Sequence, residues 1–246
     1  TELPAGVRLA TAKRGGVTVT RVEITREGLA RPRGRYVTLE MPSVSVLDER
    51  DTDVIETGAA ELRALLPPEG PVLVLGIGNR RVTADALGPR TAQKILVTMG
   101  PQHTLPVQGI RPVAALAPGV SGDTGLTLRQ LAAAMVDAVR PAALICVDSL
   151  CSAEAARLGR TIQFSDTGLH PADARHARHL DAAALGVPVI AAGIPTLMDA
   201  DEGADLVLTP RALDSVIAHG SALLAGILNR ALQPRLSVAQ LCWLTG

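Results

Sequence analysis

Two stretches of this chain are apolar without interruption and too short to be helices. Residues 71–78 read PVLVLGIG and residues 142–148 read AALICVD. Both are rich in Val, Leu and Ile and bounded by Pro, Gly or Asp, the pattern of a strand buried on both faces. Such a strand needs a layer above and a layer below it, which points to a parallel sheet covered by helices.

The intervening segments fit that reading. Residues 52–66 follow the acidic DERDTD and are stopped by Pro67, Pro68 and Gly70, so a helix is expected there, its acidic start suited to the helix dipole. Further helices are expected near 87–97, 126–140 and 211–231. Strands are expected near 112–117, 161–165, 187–192 and 205–208. Ahead of them, VTVTRVEI at 17–24 alternates with period two, and YVTLEM follows at 36–41, across a basic turn. The whole reads as a three-layer α/β fold, hydrolase- or phosphorylase-like, with a mostly parallel central sheet and helices on both faces. A small N-terminal β-hairpin extension covers about residues 1–48, and the chain reads as one domain over 1–246.

Composition narrows the partners. Lys plus Arg and Asp plus Glu both number 24 in 246 residues, so bulk charge gives no hold on nucleic acid. Tyr36, Phe164 and Trp243 are the whole aromatic complement, too few for a base-stacking platform. Arg8 to Arg35 holds eight basic residues against Glu23 and Glu27, either a solvated face or an electrostatic patch toward an acidic peptide or a neighbouring subunit. Cys146, Cys151 and Cys242 form no CxxC pair, and their odd number suits a reducing compartment. No run of 18 apolar residues suggests a membrane span, and the N-terminus does not read as a signal peptide.

In an open α/β sheet, ligands gather beyond the carboxyl ends of the strands. Asp85 follows the first buried run and Asp148 ends the second. Each has a plain structural alternative, as a cap for the next element. If the two strands are neighbours, the carboxylates face each other. Like charges then resist ionising together, which suits one to activate water and the other to donate a proton. His170, in SDTGLHP, could join them in a metal set of two carboxylates and one imidazole. His176 and His179 are three apart, in a segment that also reads as a solvated turn. Gly76 and Gly78 permit a close backbone approach but do not complete a dinucleotide fingerprint. The DTG at 123–125 belongs to a loop before a helix, Cys146 reads as a small buried hydrophobe, and Ser149 lacks a GxSxG elbow.

A set of motifs spread over nearly the whole chain adds to this. VTRVEITREG (19–28), GRYVTLE (34–40), GIGN (76–79), TADALGP (83–89), PGVSGDTG (118–125), SDTGLHP (165–171), GVPVIAAGIPTLMDA (186–200) and the last helix at 206–232 occur in order. Together they resemble the bacterial spore germination protease family. The resemblance implies an atypical aspartic-type endopeptidase that degrades small acid-soluble spore proteins. It further implies synthesis as a zymogen, a homotetramer, a location in the spore-core cytoplasm, and a fold akin to the hydrogenase maturation proteases. It places the catalytic pair on Asp85 and Asp148, with Asn79, Asp166 and His170 in support. No cofactor is implied for the family itself; the hydrogenase maturation relatives imply a divalent metal on Asp85, Asp148 and His170 as the alternative. A catalytically lapsed structural relative is the remaining reading. The chain departs from the family pattern at ADARHARHLD (172–181), where a glycine-rich stretch is usual, and at DEGAD (201–205), where a long insertion is common. Its start near TELP resembles the family's processing region, as expected of a trimmed form.

Overall fold

The computed structural model of the chain describes residues 3–100, 108–170, 179–199 and 207–245. His176, most of the altered 172–181 segment and the DEGAD segment lie outside them.

Among the described residues nine strands form one sheet: β1 (Val7–Arg14), β2 (Val17–Ile24), β3 (Gly34–Glu40), β4 (Val72–Gly76), β5 (Val113–Leu116), β6 (Ala143–Cys151), β7 (Thr161–Ser165), β8 (Val189–Asp199) and β9 (Val207–Leu208). Their spatial order is β1-β2-β3-β7-β8-β6-β4-β5, and β9 pairs with the end of β8. The parallel arrangement holds for β5, β4, β6 and β8. On the other side of β8 every pairing is antiparallel, so the sheet is mixed. The expected N-terminal hairpin is formed by β2 and β3, and β1 extends it. Together they form a three-stranded meander joined to the main sheet through β3 and β7, because Val37 and Leu39 share a core with Phe164 and Ile162 opposite them.

Helices lie on both faces. α1 (Thr52–Leu65), α2 (Leu87–Ala92) and α6 (Leu213–Leu232) cover one face, over a core that includes Ile55, Leu62, Val74, Ile145, Leu223 and Ile227. Between them in sequence come the short α3 (Ser121–Thr124), α4 (Leu128–Val139) and α5 (Ala182–Leu185). α4 packs Ala132 and Val136 on the second face, against Leu73, Leu75, Leu144 and Cys146. α4 starts with a reciprocal cap: Thr127 Oγ1 accepts from the Gln130 amide at 3.2 Å while Gln130 Oε1 accepts from the Thr127 amide at 2.9 Å. α6 is the one helix among the described residues long and apolar enough to cross a membrane, yet 72% of that apolar window is buried within the protein. The tail folds as α7 (Val238–Thr245) against α6 and leaves Trp243 83% exposed.

α2 is shorter than its pattern suggests, and β6 and β8 run longer. β4 stops at Gly76, opposite Val147, whereas β6 and β8 continue together from Asp148 onward. Asp148 is thus the first residue of β6 beyond the end of β4. The carboxyl ends of the parallel strands form a step, and the candidate site sits on it.

Candidate active site

The segment after β4 is held on that step by backbone contacts. The Ile77 amide donates to the Val147 carbonyl at 2.8 Å. Helix α2 then packs at the closest range a backbone allows. A Cβ on Gly76 would lie 2.1 Å from the Gly88 carbonyl oxygen, and one on Gly88 would lie 2.2 Å from Ile77 O and 2.3 Å from Val147 O. Only glycine permits that approach. The 3-10 turn Thr83–Asp85 is fastened from the far side by Thr196, a fully buried residue of β8 whose Oγ1 donates to Ala84 O at 3.0 Å. The turn is thereby fixed against β6 and β8.

Asp85 closes the turn. The Asn79 amide donates to its Oδ2 at 2.7 Å, and Gly78 lies directly against it. Asn79 supports the carboxylate through its backbone; its side-chain oxygen accepts from the Arg81 amide at 2.9 Å. Asp148 is oriented in a similar way, with its Oδ1 accepting from the Ser149 amide at 2.8 Å. Such charge-assisted bonds to backbone donors fix a carboxylate's direction. Both aspartates are half-buried, and both line one cleft of about 890 Å³.

The cleft runs from this step across the second face of the sheet. Its walls include Ser121, Thr127, Leu128, Arg31 and Tyr36, the Arg31 guanidinium lying 5.5 Å from the Tyr36 ring centroid. Ser149, Leu150, Cys151, Gln163 and His170 also line it. Ser149 Oγ is buried with no hydrogen-bond partner among the described residues.

The supporting residues separate. His170 lies at the rim, its Nε2 2.7 Å from Thr167 O and its ring edge-on to His179 at 5.2 Å between centroids. Asp166 is not among the lining residues. Its two oxygens take the backbone amide and Nε of Arg35 at 2.6 and 2.7 Å, and Arg35 Nη1 reaches Ala64 O at 2.8 Å. Asp166 therefore ties β3 to β7 and to the end of α1. Among the described residues no three His, Cys, Asp or Glu side chains gather as a metal cluster would require, so Asp85, Asp148 and His170 are not brought together as a ligand set. Asp123, in the DTG motif, pairs on the surface with Arg81 at 3.7 Å. Cys146 is wholly buried; burial, and secondarily the charge of Asp148, push its thiol far above its ordinary range.

Sequence reasoning passed over Gln163 and Thr196. Gln163 carried a usable signal: it is the one amide in TIQFS, at the position where period two sends a side chain away from the core formed by Ile162 and Phe164. Thr196 carried none, because its role depends on a residue 112 positions away.

A family model described as germination protease matches residues 2–202. A germination protease from Clostridium perfringens is 32% identical over 278 residues, spanning 89% of this chain and 86% of its own length. One from Bacillus velezensis is 38% identical over 223 residues, spanning 84% and 58%. One from Caldanaerobacter subterraneus is 40% identical over 214 residues, spanning 81% and 65%. Among solved structures, a nickel–iron hydrogenase maturation protease from Thermococcus kodakarensis overlays with a TM-score of 0.45 at 16% identity, over 70% of this chain and 98% of that one.

Proposed function

The chain belongs to the germination protease family, and from that premise we propose that it is an aspartic-type endopeptidase whose working carboxylates are Asp85 and Asp148. The observation that carries this reading is their convergence on one cleft, each held by a backbone amide, at the step where β4 ends and β6 continues. The substrate is a small acid-soluble spore protein, entering the cleft as an extended segment.

In this reaction one of the two carboxylates is ionised and the other protonated, the division that a general base and a general acid require. The ionised member takes a proton from water as the water oxygen attacks the peptide carbonyl carbon. The protonated member hydrogen-bonds the carbonyl oxygen and supports the charge that develops there. Proton return to the amide nitrogen breaks the C–N bond and releases an amine and a carboxylate. Asn79 and Ser149 hold the two side chains through their backbone amides, and the Thr196–Ala84 bond keeps the turn of Asp85 in place. Assembly as a homotetramer, N-terminal trimming and work in the spore-core cytoplasm complete the proposal.

The test is cleavage of a purified small acid-soluble spore protein. D85N and D148N should each lower kcat by about 10²–10⁴-fold, the range for removing a general acid or base, and chelator should leave the wild-type rate unchanged. Full activity in either variant refutes the carboxylate pair. Loss of wild-type activity on adding chelator replaces it with a metal-assisted reaction. Absence of cleavage by the folded wild-type protein favours a lapsed relative.

A further inference from the structure

A single row of residues crosses four strands at the level of Asp148. The register pairs Asp148 of β6 with Gly193 of β8, Gly193 with Gln163 of β7, and Gln163 with Thr38 of β3. Directly opposed residues in a sheet project to the same face. Asp148, Gln163 and Thr38 therefore share a face, and all three line the cleft.

Gly193 leaves a gap in the row, and the neighbouring Leu150 fills it. A Cβ at 193 would lie 2.7 Å from Leu150 Cγ and 2.3 Å from the Asp148 carbonyl oxygen. The result is an apolar floor one strand wide, with a carboxylate on one side and an amide on the other. Core packing does not explain that amide. The residues flanking it, Ile162 and Phe164, face the opposite core. Its side chain makes one hydrogen bond among the described residues, from Nε2 to Thr161 Oγ1, at the 3.5 Å limit of such a bond. A primary amide can donate and accept at once, which matches the one donor and one acceptor of each peptide group.

We propose that Gln163 is a positioning residue: its side-chain amide holds the main chain of the polypeptide substrate, laid across Leu150 toward Asp148. The proposal rests on the hydrolytic reading of Asp85 and Asp148. Two strand spacings separate Gln163 from Asp148, about 10 Å, or roughly three residues of extended chain. The held peptide group thus lies about three residues from the bond that breaks. Hydrogen bonds to the main chain are blind to side chains, so the hold contributes binding rather than sequence preference.

The experiment measures kcat and KM for cleavage of a small acid-soluble spore protein by full-length Q163M and Q163A, with melting temperatures alongside. Met keeps the length and bulk of Gln but cannot form these bonds. Both variants should raise KM by about tenfold and leave kcat within about twofold, as expected when binding common to ground and transition states is removed. A wild-type KM in Q163M overturns the proposal, since the side chain would then act by bulk alone. So does a fall in kcat without a change in KM, or a KM effect that comes only with a lowered melting temperature. D148N is assayed in parallel. If it is inactive while Q163M is wild-type, the positioning role fails and the hydrolytic reading stands. A fully active D148N removes the hydrolytic reading and the positioning role with it.

Discussion

Gly88 is where helix α2 meets the ends of two strands, and G88A tests whether that contact sets the position of Asp85. An added Cβ would lie 2.2 Å from Ile77 O, 2.3 Å from Val147 O and 2.6 Å from Ile77 N. Comfortable non-bonded separation is about 3.5 Å, so the start of α2 must withdraw by about 1 Å. No rotamer change relieves the clash, because all three atoms are backbone. Overpacking of this kind costs about 1–3 kcal/mol, and the upper end applies where only backbone can yield. At about 2–4 °C per kcal/mol for a chain of this size, the melting temperature should fall by roughly 6–12 °C. Asp85 lies three residues before Gly88, in a turn held at Ala84 by Thr196 and at the Asp85 carboxylate by the Asn79 amide. With Asp85 in its proposed catalytic role, a 1 Å displacement costs on the order of 100-fold, so kcat should drop by about that factor in protein that is still folded. The assay is calorimetry together with single-turnover cleavage of a spore-protein substrate. Gly122, where a Cβ meets nothing within 4 Å, serves as the stability control; G122A should be neutral or stabilising by up to about 1 kcal/mol. A G88A protein with wild-type melting temperature and wild-type kcat would refute the argument that this contact positions Asp85.

Three further outcomes follow from the packing. Arg21 forks onto Glu61, which is only 7% exposed, so R21A leaves a buried carboxylate without its partner and should cost about 3 kcal/mol in a urea melt; an unchanged midpoint would show that water reaches Glu61. D166A should lower stability by about 1 kcal/mol, modest because Arg35 is 47% exposed, while kcat stays within a few-fold, since Asp166 braces β3 and does not line the cleft; a large fall in kcat at unchanged stability would place it in the chemistry instead. Cys146, whose thiol stays protonated when buried, should resist a thiol reagent at pH 8 until the protein unfolds, whereas the exposed Cys151 should react in the native state; mass spectrometry of the labelled peptides reads the difference.

The parallel half of the fold was legible because its strands are buried on both faces. VLVLG and ALICV read as buried strands, and their carboxyl ends drew attention to Asp85 and Asp148; that the two strands are neighbours came only from the pairing of β4 with β6. β1 was not legible. Most of its side chains are exposed, so no hydrophobic pattern marks it, and its pairing with β2 alone makes it a strand. The direction of β7 was hidden for another reason: a short apolar run reads the same whether its neighbours run with it or against it. The overrun of β6 past Asp148 depends on Gly193 across the ladder, and the tie of Asp166 to Arg35 spans 131 residues. Local pattern fixes which residues are buried; it does not choose partners that far away. Asp166 and Asp148 looked alike in sequence, each following a strand, and only the pairing shows that one faces Arg35 and the other the cleft.

The sheet changes character at β8. On one side lie parallel strands enclosed by helices on both faces; on the other, strands covered by α1 on one face, with Tyr36 and Thr38 open to the cleft on the other. The two halves therefore face different mutational pressures. On the proposed function, substitutions among Tyr36, Thr38 and their neighbours retune which polypeptides are accepted and leave Asp85 and Asp148 undisturbed. Around β4, β6 and α2 there is almost no slack. Tolerance to substitution should accordingly concentrate in the antiparallel apron, while the enclosed half behaves as a fixed anvil.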